Sequence, residues 1–173
     1  MRVIETKVYT FDELSDKAKE KALQWWYESF EYPWGDEAIE TIKAFVALFH
    51  GKVKDYSIDY QNANQSTVDI QWPDDCLEDM FGLRAYKWIV NNKIPVSGDC
   101  PLTGMCFDKN ALDPVRDFLK NPKGKTIREI VEDGIHNVLK CVEDDFEYQA
   151  FGEGAIESIS ANGYTFTENG KRF

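Results

Sequence analysis

Residues 10–30, TFDELSDKAKEKALQWWYESF, carry the strongest local structural signal in the chain. Ser15 suits the N-cap position, because its hydroxyl can accept a hydrogen bond from an N–H group that the first helical turn leaves unpaired. The negative charge of Asp16 lies at the positive end of the helix dipole. Apolar residues then recur at spacings of three and four, namely Ala18, Ala22, Trp25 and Trp26. We therefore predict a helix over residues 16–30 on which the core is built.

The hydrophobic pattern predicts the other elements, since apolar residues recur every second residue in a half-buried strand and every three or four in a helix. In chain order these are a strand at 2–10, a helix at 36–49, a hairpin of strands at 52–61 and 66–72, helices at 73–92 and 126–149, a short helix near 153–161 and a terminal hairpin turned by Asn169 and Gly170. Together they predict a single α+β domain over residues 1–173, with a small, mainly antiparallel sheet covered by about four helices.

Single residues sharpen several of these boundaries. Gly51 suits the left-handed C′ position after the helix at 36–49. Thr126 and Glu129 have the spacing of a capping box at the start of the long helix. Gly134 lies inside that helix, where glycine costs about 1 kcal/mol relative to alanine. We therefore expect Gly134 to permit close packing against a neighbouring element.

Residues 93–125 form the least regular part of the sequence and are rich in proline and glycine. We predict one short helix there, at 113–121, with Pro114 in its first turn. A long irregular segment of this kind is often functional or mobile. In the helix before it, Asp74 or Asp75 suits the first position.

The composition is typical of a folded domain. The hydrophobic fraction is 43% and the aromatic fraction is 14%, which argues against a disordered chain. A length of 173 residues is enough to enclose a core. Five apolar residues on the predicted faces are expected to be buried together: Trp25, Phe45, Trp88, Ile135 and Leu139.

The charge of the chain limits the kinds of partner that it can bind. The net charge is −11, from 31 acidic and 20 basic residues. Such a balance disfavours direct binding to nucleic acid, because the phosphates would be repelled. It suits either solubility alone or contact with a basic protein surface.

The acidic residues are concentrated towards the C-terminus. The segment 141–170 contains seven acidic residues and no lysine or arginine. Those at 143–147 lie near the predicted C-terminal end of a helix, where the dipole disfavours negative charge. Local helix stability does not explain them, which favours a role in binding a partner. The predicted partner-binding residues are Glu143, Asp144, Asp145, Glu147, Glu153 and Glu157.

The cysteines are the clearest candidates for catalysis or metal binding. Five residues separate Cys100 from Cys106, whereas a zinc site prefers closer pairs. Cys76 and Cys141 fall in predicted helices, where a core position is the simpler interpretation. No phosphate-binding glycine loop, GxSxG or HExxH pattern is present. We therefore predict no bound metal, no cofactor and no enzymatic activity; an enzyme that uses the cysteine-containing segment 93–125 is the alternative.

No segment is expected to enter a membrane. The N-terminus alternates polar and apolar residues and lacks the apolar region of a signal peptide. The longest apolar run, at 44–49, is too short to span a bilayer. We therefore expect a cytoplasmic protein with reduced cysteines.

The two ends of the chain resemble a family of small phage and prophage proteins. The resemblance is carried by VIETKVYTFDELSDKAKEKA at 3–22 and by EDDFEYQAFGEGAIESISANGYTFTENGKRF at 143–173, and it covers about the first 30 and the last 35 residues. Members of this family are labelled hypothetical proteins or antitoxins of toxin–antitoxin systems. The resemblance implies a bacterial host cell and brings no catalytic residues with it.

The charge and the resemblance together indicate a phage accessory protein that binds another protein. The expected mechanism is nucleic-acid mimicry, in which the acidic face occupies the basic groove of a host nucleic-acid-targeting defence complex such as a CRISPR effector. The close alternative is an antitoxin that neutralises a basic toxin.

Overall fold

The computed structural model describes residues 5–73 and 76–173. Within these ranges the chain forms six helices and a two-stranded antiparallel sheet. The elements are α1 (Asp16–Ser29), α2 (Gly35–Leu48), β1 (Lys52–Ser57), β2 (Thr67–Gln71), α3 (Leu83–Asn91), α4 (Phe107–Lys120), α5 (Ile127–Ala150) and α6 (Glu153–Ala161). The predicted α+β class with an antiparallel sheet is confirmed, with six described helices where about four were expected.

The chain divides into two compact units. The terminal unit comprises Met1–Tyr32 and Asp144–Phe173, and the central unit comprises Pro33–Glu143. The helix α5 contributes its first part to the central unit and its last turns to the terminal unit. The single domain expected over residues 1–173 stays a prediction.

The terminal unit has its own apolar core, built by α1, α6 and the chain ends. Its buried residues are Phe11, Leu14, Ala18, Ala22, Ile159 and Phe166. Trp25 is only partly buried and packs against this core, with its ring 5.8 Å from that of Phe166. The expectation that Trp25 is buried is wrong, because its side chain remains partly exposed beside this core.

The C-terminal hairpin is formed as predicted. The N–H of Thr167 donates to the Lys171 carbonyl over 2.8 Å, and Gly170 takes a positive φ of 83°. A Cβ at Gly170 would overlap the Ala18 carbonyl, so glycine is required both for the turn and for its contact with α1.

The described part of the strand predicted at 2–10 forms only a single bridge. Tyr9 forms an isolated bridge to Phe166, residues 5–8 are not in a strand, and residues 2–4 lie outside the described part. In this antiparallel register the residues opposite 5–8 would be 167–170. Those residues form the hairpin turn, so the pairing cannot extend.

The start of α1 agrees with the prediction in position but not in chemistry. Ser15 is the N-cap residue, yet its hydroxyl makes no capping hydrogen bond. The Glu13 carboxylate instead accepts from the Thr10 N–H at 2.7 Å and from the Thr10 hydroxyl at 2.9 Å. These bonds organise the turn that leads into the helix.

The end of α2 is shifted by one residue from the prediction. The left-handed residue is His50, with φ of 57°, and not Gly51. The Gly51 N–H donates to the Val46 carbonyl at 3.2 Å and the His50 N–H to the Ala47 carbonyl at 3.0 Å, which is a Schellman arrangement. Gly51 is required for space, because an added Cβ would lie 2.8 Å from a Val46 methyl carbon.

The hairpin of β1 and β2 was predicted and is present. Tyr56 lies opposite Val68, and the register is irregular between Val53 and Asp55. After β2 and Trp72 the chain enters the segment 73–92, for which the sequence predicted a helix.

That helix is shorter than predicted, since α3 begins only at Leu83. The Ile127 N–H donates to the Met80 carbonyl at 3.0 Å, and the Gly82 N–H donates to the Lys125 carbonyl at 3.3 Å. These bonds hold the chain extended before α3 and require a positive φ of 58° at Gly82. The suggested helix starts at Asp74 and Asp75 lie outside the described residues.

The prediction of a short helix at 113–121 is also wrong in extent, because the observed helix begins six residues earlier. The helix α4 begins at Phe107 and contains Pro114 in its interior. Proline has no N–H to donate to the carbonyl four residues earlier, which here belongs to Asn110. The side-chain amide of Asn137 on α5 lies 3.4 Å from that carbonyl and donates in its place.

The start and packing of α5 agree with the sequence. The Thr126 N–H donates to Glu129 Oε2 at 2.7 Å and the Glu129 N–H donates to the Thr126 hydroxyl at 3.2 Å, which is the predicted capping box. A Cβ at Gly134 would lie 2.6 Å from the Ala111 carbonyl oxygen and would overlap the Phe45 ring. The expectation of close packing at Gly134 is confirmed.

The central unit encloses most of the remaining predicted core residues. Phe45, Ile135 and Leu139 are buried. Trp88 is half-buried, and its ring stacks on that of Phe49 with 5.9 Å between centroids.

Candidate functional site

The candidate site lies in the terminal unit, where a short turn joins α5 to α6. The N–H groups of Phe151 and Gly152 both donate to the Glu147 carbonyl over 3.0 Å, and α6 begins at Glu153. A Cβ at Gly154 would lie 2.6 Å from the Tyr148 ring. The absence of a side chain at Gly154 therefore lets the Tyr148 ring lie over the start of α6.

Large apolar side chains are exposed around this junction. Tyr148 is 46% exposed, Phe151 is 52% exposed and Ile156 is 37% exposed. The Phe151 ring lies against that of Tyr27, with 4.3 Å between the centroids. A group of exposed apolar residues is a recognised mark of an interaction surface.

Carboxylates lie beside these apolar residues. Glu153, Ile156 and Glu157 share one face of α6 because they are three or four positions apart. The Tyr148 hydroxyl donates to Glu157 Oε2 at 3.2 Å. The negative charge of Glu157 and this hydrogen bond raise the pKa of Tyr148, so the hydroxyl keeps its proton. We name this the acidic–aromatic surface: Glu147, Tyr148, Phe151, Glu153, Ile156 and Glu157.

The other predicted site residues differ from these in their surroundings. Asp144 is exposed. Asp145 is half-buried in the terminal unit, where it accepts hydrogen bonds from the Tyr32 hydroxyl at 2.9 Å and from the Gln149 amide at 2.7 Å. These bonds give Asp145 a structural role near the end of α5, and binding a partner would have to compete with them.

Glu143 belongs to the central unit and is also used within the fold. Its carboxylate accepts from Lys140 Nζ at 2.7 Å and from the Ala63 N–H at 2.8 Å. These two hydrogen bonds lower its pKa. Glu143 therefore holds the loop of the hairpin to α5, and its predicted part in partner binding stays a prediction.

The sequence analysis missed the aromatic half of this surface. Tyr148 lies off the apolar stripe that is buried along α5, and Phe151 follows the last residue of that helix. A large aromatic residue outside the stripe was the available signal. The positions of the two rings depend on Tyr27, which is distant in sequence and contacts Phe151, and on Gly154, which has no side chain to displace Tyr148.

Comparisons with protein-family models, with curated proteins and with solved structures return no match. The function is therefore argued from the geometry and charge of the chain itself.

The segment 93–125 is organised by one buried carboxylate. Asp108 Oδ2 accepts from the N–H groups of Leu102, Thr103 and Gly104 at 2.7, 2.8 and 3.1 Å, and Oδ1 accepts from the Thr103 hydroxyl at 2.7 Å. Burial alone raises the pKa of Asp108, but the hydrogen bonds from Thr103, Leu102 and Gly104 outweigh it and hold the pKa below its ordinary value. Asp108 is therefore saturated by structural hydrogen bonds.

The cysteines differ in part from the prediction. Cys76 is exposed and has a left-handed backbone, with φ of 54°, so its predicted core position is wrong. Cys100 and Cys106 are exposed, Cys141 is partly buried and none of the four is in a disulfide. Among the described residues, no group of three or more His, Cys, Asp or Glu side chains is placed to hold a metal ion.

The central unit also contains an open cleft of about 420 Å³ between β2 and α5, lined in part by Trp72, Arg128, Glu132 and His136. Arg128 is already engaged, because it lies 5.6 Å from the Trp72 ring centroid and 3.4 Å from a Glu78 oxygen. The arginine of the cleft is therefore already engaged within the fold. No helix in the described chain is long and apolar enough to cross a membrane.

Proposed function

We propose that this protein acts by binding another protein through the acidic–aromatic surface. The observation that carries the proposal is the exposure of Tyr148, Phe151 and Ile156, by 37 to 52%, beside the exposed carboxylates of α6. Tyrosine and phenylalanine are enriched in protein interfaces. Exposed glutamates around them favour a partner of opposite charge, since complementary potentials steer encounter and select partners.

The partner in this proposal is a basic protein surface of the kind that holds nucleic acid. The segment 141–170 has seven acidic residues and no basic one, so its charge has the sign of a phosphate backbone. In the full form of the proposal, a phage-encoded protein in the bacterial cytoplasm occupies the nucleic-acid groove of a host defence complex such as a CRISPR effector. It performs no chemistry of its own.

Neutralisation of a basic toxin by an antitoxin is the close alternative. It is supported by the segments that carry the family resemblance, because these fall almost entirely within the terminal unit, which also holds the acidic–aromatic surface. An enzyme that uses the segment 93–125 is less well supported, since the Asp108 carboxylate beside its cysteines is saturated by hydrogen bonds from the chain.

The test is affinity capture from a bacterial host lysate with the wild type and with Glu153→Lys/Glu157→Lys. The wild type is expected to retain a basic protein that heparin or duplex DNA displaces, and the charge-reversed variant is expected to lose it. The matched control is Asp12→Lys/Glu20→Lys, which makes the same change of charge at exposed positions elsewhere in the terminal unit.

The identity of the retained protein separates the two forms of the proposal. A nucleic-acid-targeting defence complex whose nuclease activity is inhibited supports mimicry, and a small basic protein whose toxicity is neutralised on co-expression supports the antitoxin. If the variant retains the same proteins as the wild type, the acidic–aromatic surface is not the binding surface and the proposal is wrong.

A further inference from the structure

A second exposed apolar surface lies on α3 in the central unit. Leu83 is 67% exposed, Val90 is 49% exposed and Phe81, just before the helix, is 55% exposed. Leu83, Lys87 and Val90 are separated by four and three positions and therefore share one helix face. The buried residues of α3, Ala85 and Ile89, face the other way and hold the helix to its unit.

This second surface is basic, in contrast to the chain as a whole. Between Asp79 and Asp99 there is no acidic residue, whereas Arg84, Lys87 and Lys93 contribute a charge of +3 to a protein of −11. All three are exposed. They take part in none of the ion pairs found among the described residues. The N-terminus of α3 adds partial positive charge at Arg84. We name this the basic–apolar surface: Phe81, Leu83, Arg84, Lys87, Val90 and Lys93.

The two surfaces are complementary in both charge and apolar content. Of the large hydrophobic residues that are exposed in the described chain, three lie on each surface. One surface surrounds its apolar residues with carboxylates and the other surrounds them with ammonium and guanidinium groups. Opposite charges around apolar centres are the arrangement that favours specific association.

We propose that the basic–apolar surface of one copy of this chain binds the acidic–aromatic surface of a second copy. The contact is heterologous, because two different surfaces meet, and the pair keeps one free surface of each kind, one on each copy. Association therefore proceeds head to tail beyond a dimer at high concentration. It weakens with salt, since exposed charge pairs are screened, but the apolar part of the contact persists.

This contact regulates the surface on which the proposed function rests. A copy bound at its acidic–aromatic surface cannot present that surface to another protein. A basic partner must therefore displace the neighbouring copy, and binding of the partner dissociates the assemblies.

The test is sedimentation velocity on the purified full chain across a range of concentrations, at about 0.05 M and 0.5 M salt, between which exposed charges become strongly screened. The wild type is expected to increase in mass with concentration, and less so at high salt. Arg84→Glu/Lys87→Glu and Glu153→Lys/Glu157→Lys are each expected to associate at least about tenfold more weakly, because attraction across the contact becomes repulsion.

Mixing the two variants gives the most specific result. Each variant retains one intact surface, so the basic–apolar surface of the Glu153→Lys/Glu157→Lys chain can bind the acidic–aromatic surface of the other chain. The two reversed surfaces also carry opposite charges, so the mixture is expected to associate, with the two chains alternating, more strongly than either variant does alone. A chain that carries all four substitutions exchanges the charges of both surfaces and is expected to associate again.

Matched controls separate the contact from net charge. Asp12→Lys/Glu20→Lys and Lys17→Glu/Lys21→Glu change the charge by the same amounts at exposed positions of the terminal unit and are expected to associate as the wild type does. Leu83→Ser/Val90→Ser removes the apolar part without changing charge and should also weaken association. Circular dichroism of every variant checks that the helices are retained.

A wild type that stays monomeric at all concentrations and at low salt overturns the inference, as does a mixture of the two variants that forms no dimer. These outcomes are distinct from those of the proposed function. Self-association is measured on the purified protein alone, whereas the proposed function is measured by capture of a basic partner.

Discussion

Asp108 is the residue whose chemistry most strongly shapes the segment before α4. Its carboxylate accepts from three backbone N–H groups and from the Thr103 hydroxyl, and its side chain is fully buried. A carboxylate with several such donors is stabilised in its charged form. The Asp108 carboxylate therefore accepts hydrogen bonds from backbone N–H groups that, in a helix or strand, would donate to backbone carbonyls.

Removal of this carboxylate is predicted to destabilise the fold. Asp108→Ala leaves several donors without an acceptor, and one unpaired buried donor already costs about 1–3 kcal/mol. We expect a loss of at least about 2 kcal/mol in urea unfolding at neutral pH. Asp117→Ala on the same helix, exposed and paired with Lys120 at the surface, is the control and should change stability by less than about 0.5 kcal/mol. An unchanged midpoint for Asp108→Ala would contradict this account.

The pH dependence follows from the same hydrogen bonds. The pKa of Asp108 is lower in the folded chain than its ordinary value, which is about 3.9 in the unfolded chain. The stabilisation is therefore complete above that value and is lost as the pH falls through the folded-state pKa. The difference in unfolding free energy between wild type and Asp108→Asn should be constant from pH 6 to about pH 4 and should shrink from there towards pH 3, at about 1.4 kcal/mol per pH unit at most. A constant difference over that range would show that the charge of Asp108 is not responsible.

At the scale of elements, the long helix α5 depends on a close approach that only glycine allows. The Phe45 ring and the Ala111 carbonyl occupy the space that a Cβ at Gly134 would need. Helix propensity alone favours alanine over glycine by about 1 kcal/mol. Packing and propensity therefore act in opposite directions at this position.

We predict that packing outweighs propensity, so that Gly134→Ala destabilises the protein. Inserting a methyl group into a filled core costs about 1–3 kcal/mol, and the expected net loss is about 1 kcal/mol or more after the gain in helix propensity. Urea unfolding of Gly134→Ala, Phe45→Leu and the double variant measures the coupling. The loss from Gly134→Ala should be smaller in the Phe45→Leu background, because the smaller side chain leaves room. A stabilising effect of Gly134→Ala would show that the helices can move apart at little cost.

At the scale of the whole molecule, both ends of the chain meet in the terminal unit and the middle forms the central unit. The segments at 3–22 and 143–173, which carry the family resemblance, fall almost entirely within the terminal unit. Since α5 is one continuous helix with residues in both units, unfolding of either unit removes packing partners from the shared helix.

We therefore predict that the chain unfolds as one cooperative domain, as expected from its length. Gly170→Ala, which disrupts the terminal unit through the overlap at Ala18, should lower the midpoint of the whole transition. Tryptophan fluorescence, which includes Trp72 and Trp88 in the central unit, should report the same midpoint as far-UV circular dichroism. Two separate transitions, of which only one responds to Gly170→Ala, would show instead that the units unfold independently.

Elements whose signals are local could be predicted from the amino-acid pattern. The helices α1, α5 and α6, the β1–β2 hairpin and the terminal hairpin agree with prediction, because periodicity and turn residues act between near neighbours. The capping box of Thr126 and Glu129 is such a signal. The acidic character of the segment 141–170 was also evident from composition alone.

Features that depend on partners far apart in the chain could not be predicted in this way. The start of α3 follows from the bond between Met80 and Ile127, and Asn137 supplies the donor that Pro114 lacks inside α4. Distant contacts also give the acidic residues different surroundings. The Ala63 N–H, 80 positions away, donates to the Glu143 carboxylate, whereas Glu153 and Glu157 are exposed at the surface. A hydrogen bond or ring contact between distant residues forms only once the chain has brought them together, and no pattern among neighbouring residues records it.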